Sequence, residues 1–182
     1  MKQEIIKKKT KTGIEVSFKN AEAAEAEDEI NYLKQCCGET RFLLSEPEDV
    51  AYTVEGEEKF LEEYANSDNS LMLNAYINGR LIGNCSFAPI SNANRLKHRC
   101  SMGIALIKKY CGQGIGELML EILIGRAKEA GFEIMELDVV SANIRAKKLY
   151  ERLGFVEYGV RKNAMKYKDG TYSDEILMAL EL

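Results

Sequence analysis

A glycine-rich segment, Cys111-Gly-Gln-Gly-Ile-Gly116, is the first candidate for chemistry, and it is called the glycine loop below. Glycine lets a backbone come close to a ligand, and the first turn of a helix has N–H groups without intrahelical partners. Because an amphipathic segment begins at about Ile115, the loop indicates an anion site for phosphate or pyrophosphate. The alternative is a tight strand-to-helix turn that binds nothing.

The glycine loop fits neither of two common phosphate motifs. A dinucleotide-binding fingerprint requires a third glycine where Glu117 stands. A P-loop ends in Gly-Lys-Ser/Thr, whereas Gly116 is followed by Glu117-Leu118. The loop alone therefore leaves the ligand open.

A second candidate pair is Asn143 and Tyr150, on a segment with helical periodicity after an apolar strand. Their separation of seven residues is close to two helical turns, so both side chains lie on one face, about 10 Å apart along the axis. Asn can hold an amide of an extended ligand, and Tyr can donate a proton. Singly, Asn143 also suits a helix N-cap, and Tyr150 a half-buried packing residue.

Three further positions could handle protons. His98, the only histidine, could relay a proton, although a lone strand histidine is usually structural or exposed. Glu136 and Asp138 alternate with apolar residues, so they face away from the core, and either could act through water.

Three other positions are weaker candidates. Cys111 as a covalent nucleophile lacks a neighbouring histidine partner. Glu39 and Arg41, in the loop after the first helix, could contact an acceptor substrate, or they could simply be solvated.

Composition limits the function classes. The chain has 182 residues, 46% hydrophobic and 30% charged, typical of one globular domain, here 1–182. Five cysteines lack zinc-site or disulfide-framework spacing, so we expect free thiols, a cytoplasmic location and no metal. The basic start, Met1 to Lys11, lacks the apolar core of a secretory signal, and no apolar run is long enough to span a membrane. The net charge of −4 argues against nucleic-acid binding, although residues 71–182 carry +4.

Periodicity predicts the element order βααβββαβαββ, without a repeat or linker. Asn78-Gly79 and Asp169-Gly170 predict hairpins, Thr53 a helix N-cap, and Gly131 a helix end. The first predicted strand contains Ile14, Val16 and Phe18, and the residues before it are assigned to no element. The expected fold class is α/β (α+β), with a mixed sheet of about seven strands flanked by about four helices.

The chain resembles the GNAT superfamily of N-acetyltransferases through two motifs in the right order. The first is Arg/Gln-x-x-Gly-x-Gly/Ala after a strand, found at the glycine loop. The second is Asn-x-x-Ala-x-x-Leu-Tyr-x-x-x-Gly-Phe, which is met by six residues, namely Asn143, Ala146, Leu149, Tyr150, Gly154 and Phe155. The element order also matches from residue 14 to 182. Either motif alone would be weak, but together they are specific.

The resemblance implies binding of acetyl-CoA as co-substrate, without a metal. Backbone around Leu106 and Ile107 would pair with the pantetheine arm and direct an N–H at the thioester. Asn143 would hold that arm, and Tyr150 would protonate the departing thiolate. The pyrophosphate would be bound by the glycine loop, that is, by Cys111, Gly112, Gln113, Gly114, Ile115 and Gly116.

Two positions depart from the family pattern. Cys111 stands where relatives have Arg or Gln, which removes a side chain but leaves the backbone site. Ser101 corresponds to a position where relatives often have a carboxylate base, so the base is unassigned.

The resulting expectation is an acetyltransferase acting on the primary amine of a small molecule, such as an amino acid or polyamine. The alternatives are a protein N-terminal acetyltransferase and a CoA-binding module without turnover. A homodimer is possible.

Overall fold

The computed structural model describes residues 5–182, so residues 1–4 of the basic start lie outside the described part. The strands and α-helices are β1 (Ile6–Lys9), β2 (Glu15–Asn20), α1 (Ala26–Glu39), α2 (Val54–Asn66), β3 (Leu71–Ile77), β4 (Arg80–Pro89), β5 (Arg99–Leu106), α3 (Ile115–Glu129), β6 (Ile134–Val140), α4 (Ile144–Arg152), β7 (Val156–Lys166) and β8 (Tyr172–Glu181). Within residues 5–182, no helix is long and apolar enough to cross a bilayer.

The predicted fold class is confirmed, with one strand more than expected. The additional strand is β1, whose sequence Ile-Lys-Lys-Lys conceals the apolar alternation of a strand. It pairs with β2, where Ile6 lies opposite Phe18. Lysines are typical of exposed sheet edges because they discourage pairing with another chain.

The sheet has the order β1-β2-β3-β4-β5-β6-β8-β7. Every neighbouring pair is antiparallel except β5 with β6, which is parallel. At this parallel junction only Arg99–Ser101 pair with Ile134–Glu136, although both strands continue. The remaining parts of β5 and β6 therefore diverge, and the sheet opens between them.

Helices cover the two faces of the sheet unequally. From α3 and α4, Met119, Leu123 and Tyr150 join the largest core cluster together with Leu73 and Ile82 on the sheet. Helices α1 and α2 lie on the other face, in smaller clusters. Fully burying a Leu or Met side chain contributes about 1.5–3 kcal/mol, so the α3 side supplies most of the hydrophobic stabilisation.

The predicted hairpin turn, helix N-cap and helix end lie at the expected residues. Asn78 and Gly79 both have positive φ, +50° and +77°, as a two-residue hairpin turn requires. The Thr53 hydroxyl accepts a hydrogen bond from the Gly56 N–H at 3.1 Å and so caps α2. Gly131, with φ +84°, follows the end of α3. A 3₁₀ turn, Ala23–Glu25, directly precedes α1.

Candidate active site

A cleft of about 1590 Å³ opens where β5 and β6 diverge. One wall is formed by residues 101–106 of β5 and the other by residues 137–140 of β6. The glycine loop, α4 and the segment at the end of α1 also line it. The open sheet therefore brings both sequence motifs to a single cavity.

The free edge of β5 directs alternate backbone groups into this cleft. The Ile107 N–H donates to the Ile82 carbonyl at 3.0 Å, on the β4 side. Because peptide groups of a strand alternate in direction, the N–H and C=O groups of Met102, Ile104 and Leu106 face the open side. Leu106 thus faces the cleft, and its pairing with pantetheine stays a prediction. Ile107 does not, since its N–H is paired and its side chain is buried away from the cleft.

The glycine loop turns the chain from β5 into α3. Gly112 and Gly114 have φ +78° and +83°, which strongly favours glycine there. Since α3 begins at Ile115, the N–H groups of Ile115, Gly116 and Glu117 have no intrahelical acceptor. A Cβ atom at Gly112 would have nothing within 4 Å, so the backbone is open to a ligand. These features fit a pyrophosphate.

The side chains of the loop contribute less than its backbone. Ile115 is fully buried in the core and does not line the cleft. Gln113 Nε2 donates to the Lys109 carbonyl at 2.7 Å. Cys111 Sγ lies 3.7 Å from the Leu106 carbonyl, and Cys111 is half-buried. The loss of the family's Arg or Gln at position 111 therefore leaves the backbone N–H groups in place.

Asn143 is the N-cap of α4, one of its two predicted roles. Its Oδ1 accepts a hydrogen bond from the Ala146 N–H at 3.2 Å. The residue also lines the cleft. The same side chain can therefore start the helix through its oxygen and offer its amide nitrogen to a ligand.

Tyr150 lines the cleft from α4 and is 7% exposed. Its ring packs edge-to-face against Phe155, with centroids 5.8 Å apart. Burial raises the pKa of Tyr150 to about 12, so the phenol stays protonated at neutral pH. Tyr150 is thus both a packing residue and a protonated donor beside the cleft.

Of the two carboxylates predicted on β6, only Asp138 lines the cleft. Asp138 Oδ2 lies 3.0 Å from Arg161 Nη1, and Arg161 Nη1 also lies 2.5 Å from Glu175 Oε2. Glu136 Oε1 instead lies 2.5 Å from Arg99 Nε, outside the cleft. Two carboxylates sharing one guanidinium leave this part of the wall with a net negative charge.

Of the remaining candidates, Ser101 lines the cleft and His98 does not. The carbonyl of His98 accepts from the N–H groups of Glu133 and Ile134, so its backbone joins β5 to the start of β6. These contacts involve only the backbone of His98, and its side chain lies outside the cleft lining.

The segment of residues 39–44, called the strap below, lines the cleft and runs from the end of β5 to the hairpin between β7 and β8. At its start, Glu39 Oε2 accepts from the Lys108 N–H at 2.6 Å. Further along, the Arg41 guanidinium lies 3.7 Å from the centroid of the Tyr167 ring, on the hairpin between β7 and β8. Glu39 and Arg41 therefore fix the strap as well as lining the cleft.

Several cleft residues were not predicted. Lys11 and Thr12 come from the hairpin between β1 and β2, and Arg161 and Glu175 from β7 and β8. The Asp169-Gly170 turn signal could have placed the last two on neighbouring strands. Register shifts in that hairpin hide their pairing from the sequence.

Comparison with known proteins agrees with this geometry. The chain matches the Acetyltransferase (GNAT) family over residues 39–155. It is 32% identical over 108 residues to the [ribosomal protein bS18]-alanine N-acetyltransferase of Haemophilus influenzae, covering 59% of this chain and 73% of that protein. The Escherichia coli K12 enzyme of the same name is 33% identical over 108 residues, covering 59% and 72%.

Solved structures share the fold. A GNAT-family acetyltransferase from Streptococcus pneumoniae superimposes with a TM-score of 0.88 at 28% identity, covering 92% of this chain and 99% of that one. The yncA structure from Salmonella typhimurium, solved with its cofactor acetyl-CoA, gives a TM-score of 0.80 at 19% identity, covering 92% and 94%. Among residues 5–182, no three His, Cys, Asp or Glu side chains are grouped for a metal ion. The chain belongs to the acetyltransferase (GNAT) family and is an acetyl-CoA-dependent N-acetyltransferase.

Proposed function

We propose that the acceptor is the α-amino group at the N-terminus of a polypeptide. The two relatives just described carry names for acetylation of an alanine in a ribosomal protein. The small primary amine expected from the sequence is the second candidate. It is favoured by the strap, which lies across the cleft and narrows the approach for a bulky acceptor.

The observation that supports acetyl transfer at this site, to either acceptor, is the opening between β5 and β6, with Tyr150 and Asp138 on its walls. In the proposed complex the N–H groups of residues 112–117 bind the pyrophosphate, and this backbone is called the phosphate site below. The backbone N–H and C=O of Ile104 and the N–H of Leu106 pair with the pantetheine arm, and Asn143 offers its amide nitrogen. Acetyl-CoA supplies an activated thioester, so the protein has to position two reactants and stabilise charge.

Asp138 is proposed to prepare the acceptor amine. An amine arrives mainly as its ammonium form at neutral pH and must lose a proton before it can attack. The carboxylate of Asp138 can accept that proton directly or through water. Asp138 and Glu175 share the Arg161 guanidinium, at 3.0 Å and 2.5 Å, so two carboxylates face one cation and the local charge attracts a cationic amine.

Tyr150 is proposed to stabilise the departing sulfur. A phenol with a pKa of about 12 is less acidic than an ordinary thiol, whose pKa is about 8.5. Its main contribution is therefore a hydrogen bond to the developing thiolate, rather than complete proton transfer before the C–S bond breaks. Burial strengthens such a bond because the surroundings are less polar than water.

The acceptor assignment can be tested by measuring free-thiol release and product mass together. The purified protein is incubated with acetyl-CoA, excess chelator and an alanine-initiated peptide, or with an amino acid or polyamine. We expect acetylation of the α-amine of the peptide and no reaction with the same peptide carrying a blocked N-terminus. Acetylation of small amines alone would establish the second candidate. Failure to release thiol with any acceptor would refute both.

A further inference from the structure

The hairpin between β1 and β2 lies beside the glycine loop, outside the segment that matches the family. Thr10 is 6% exposed, and its Cβ lies 3.7 Å from the position that a Cβ atom at Gly114 would occupy. The next two residues, Lys11 and Thr12, line the cleft together with the loop. The hairpin tip therefore forms a wall of the phosphate site.

This tip is held by its own hydrogen bonds. The Thr10 N–H donates to the Ile14 carbonyl at 2.9 Å, and the Gly13 N–H donates to the Thr10 carbonyl at 2.9 Å. The hydroxyls of Thr10 and Thr12 lie 2.8 Å apart. Lys11 is thus carried on an ordered turn rather than on a free chain end.

Glu117 creates an electrostatic conflict at the same place. It lies in the first turn of α3 and lines the cleft beside Gly114 and Gly116. A carboxylate there interacts favourably with the helix dipole, but it repels a phosphate that binds to the same N–H groups. Lys11 Nζ lies 3.2 Å from Glu117 Oε1 and offsets this negative charge.

We propose that Lys11 completes the phosphate site by neutralising Glu117, so that the amino-terminal hairpin is part of the cofactor-binding surface. The inference rests on the proposed placement of the CoA pyrophosphate at the glycine loop. The side chain of Lys11 in this ion pair is 89% exposed. An exposed ion pair of this kind contributes little to folding stability. Its proposed effect is electrostatic, because Lys11 reduces the repulsion between Glu117 and an incoming phosphate.

The test is a double-mutant cycle measured by calorimetry at low ionic strength. The variants are Lys11→Ala, Glu117→Gln and the two combined, with CoA and with pantetheine, which lacks every phosphate, as ligands. We expect Lys11→Ala to weaken CoA about fivefold, with pantetheine binding unchanged and the loss fading at high salt. Adding Glu117→Gln should restore CoA binding to within about twofold of the wild type, because the uncompensated charge is gone. Lys9→Ala, an exposed lysine on the same hairpin, is the matched control and should have no effect.

Two outcomes would overturn the role of Lys11. One is CoA affinity of Lys11→Ala within twofold of the wild type at low salt. The other is a double variant that binds CoA as weakly as Lys11→Ala. A wild-type protein that binds pantetheine as tightly as CoA would instead refute the phosphate site itself. The two failures are therefore distinguishable.

Discussion

At the scale of single residues, Asn143 and Tyr150 each have a structural role and a proposed chemical role. Asn143 caps α4 through its oxygen, and Tyr150 packs its ring against Phe155. Their spacing predicts a shared helical face, and both do line the cleft. The sequence motif could not separate packing from chemistry, because the same geometry serves both.

Replacing Tyr150 with Phe separates the two roles. The ring and its contact with Phe155 are kept, and only the hydroxyl is removed. We expect turnover to fall at least about tenfold, since a positioned proton donor typically contributes about a hundredfold or more. Acetyl-CoA affinity and the free energy of unfolding should be nearly unchanged. Steady-state kinetics with calorimetry measures this.

The matched control is Tyr158→Phe, since Tyr158 lies on β7 and does not line the cleft. A Tyr150→Phe protein that binds acetyl-CoA and keeps full turnover would rule out the proposed role. It would leave water as the proton source for the thiolate.

At the scale of elements, the decisive feature is the early divergence of β5 from β6. The apolar periodicity of both strands predicts them well, yet it contains no signal for where their pairing stops. The point of divergence is set by contacts between residues that are distant in the sequence. The contact between Arg41 and Tyr167 joins residues distant in the sequence, so no local pattern could reveal it.

The strap should control acceptor binding through Arg41. Besides its contact with the Tyr167 ring, Arg41 Nη2 donates to the Thr171 hydroxyl at 2.9 Å and Nη1 lies 3.7 Å from Asp169. We expect Arg41→Ala to loosen the strap and raise the KM for the acceptor about tenfold, a loss of about 1.4 kcal/mol. The KM for acetyl-CoA should stay constant, and Arg41→Lys should recover part of the loss.

Kinetics with each substrate varied in turn provides the measurement. An unchanged acceptor KM would show that the strap does not shape the acceptor site. An equal rise in both KM values would point to general disruption of the cleft.

At the scale of the whole molecule, a buried polar network lies between α1 and the sheet. Asn74, fully buried on β3, donates to Glu29 on α1 and to the Tyr76 hydroxyl at 3.1 Å, and it accepts from Asn84 Nδ2 at 2.8 Å. The pKa of Glu29 is raised to about 7, mainly by burial. The hydrogen bond from Asn74 lowers this pKa, and the nearby carboxylates of Glu57, Glu25 and Asp28 raise it.

This raised pKa makes folding stability depend on pH. Below about pH 4.5 Glu29 is protonated in both states, so it has no linkage effect. Between about 4.5 and 7 the folded state binds the extra proton, so stability falls as pH rises, by up to about 3 kcal/mol in total. Glu29→Gln keeps an oxygen for Asn74 but cannot ionise. We therefore expect it to be more stable than the wild type at pH 8 and close to it at pH 4.5.

Urea unfolding at the two pH values measures the difference. Glu27→Gln, an exposed position on the same helix, is the control and should show no pH-dependent gain. If Glu29→Gln and the wild type were equally stable at pH 8, ionisation of the buried Glu29 would not destabilise the fold, contrary to the proposal.

Elements that depend on a local sequence pattern, such as amphipathic helices and turns, could be predicted from the sequence. The apolar face of α3 is confirmed, since Met119, Leu123 and Ala127 are fully buried. The strand β1 was missed because its lysines hide the alternation, and with it the part played by Lys11 and Thr12 in the cleft. Arg161 was missed for a different reason, since its partners are set by strand register rather than by spacing.

The most direct test of the central claim is a crystal structure of the protein bound to CoA. We predict that the pyrophosphate accepts hydrogen bonds from N–H groups of residues 112–117, and that the pantetheine arm runs along the free edge of β5 between residues 102 and 106. The CoA sulfur should lie within about 3.5 Å of the Tyr150 hydroxyl, close enough for a hydrogen bond to sulfur. A CoA molecule bound outside the opening between β5 and β6, or a sulfur remote from Tyr150, would contradict the proposed mechanism.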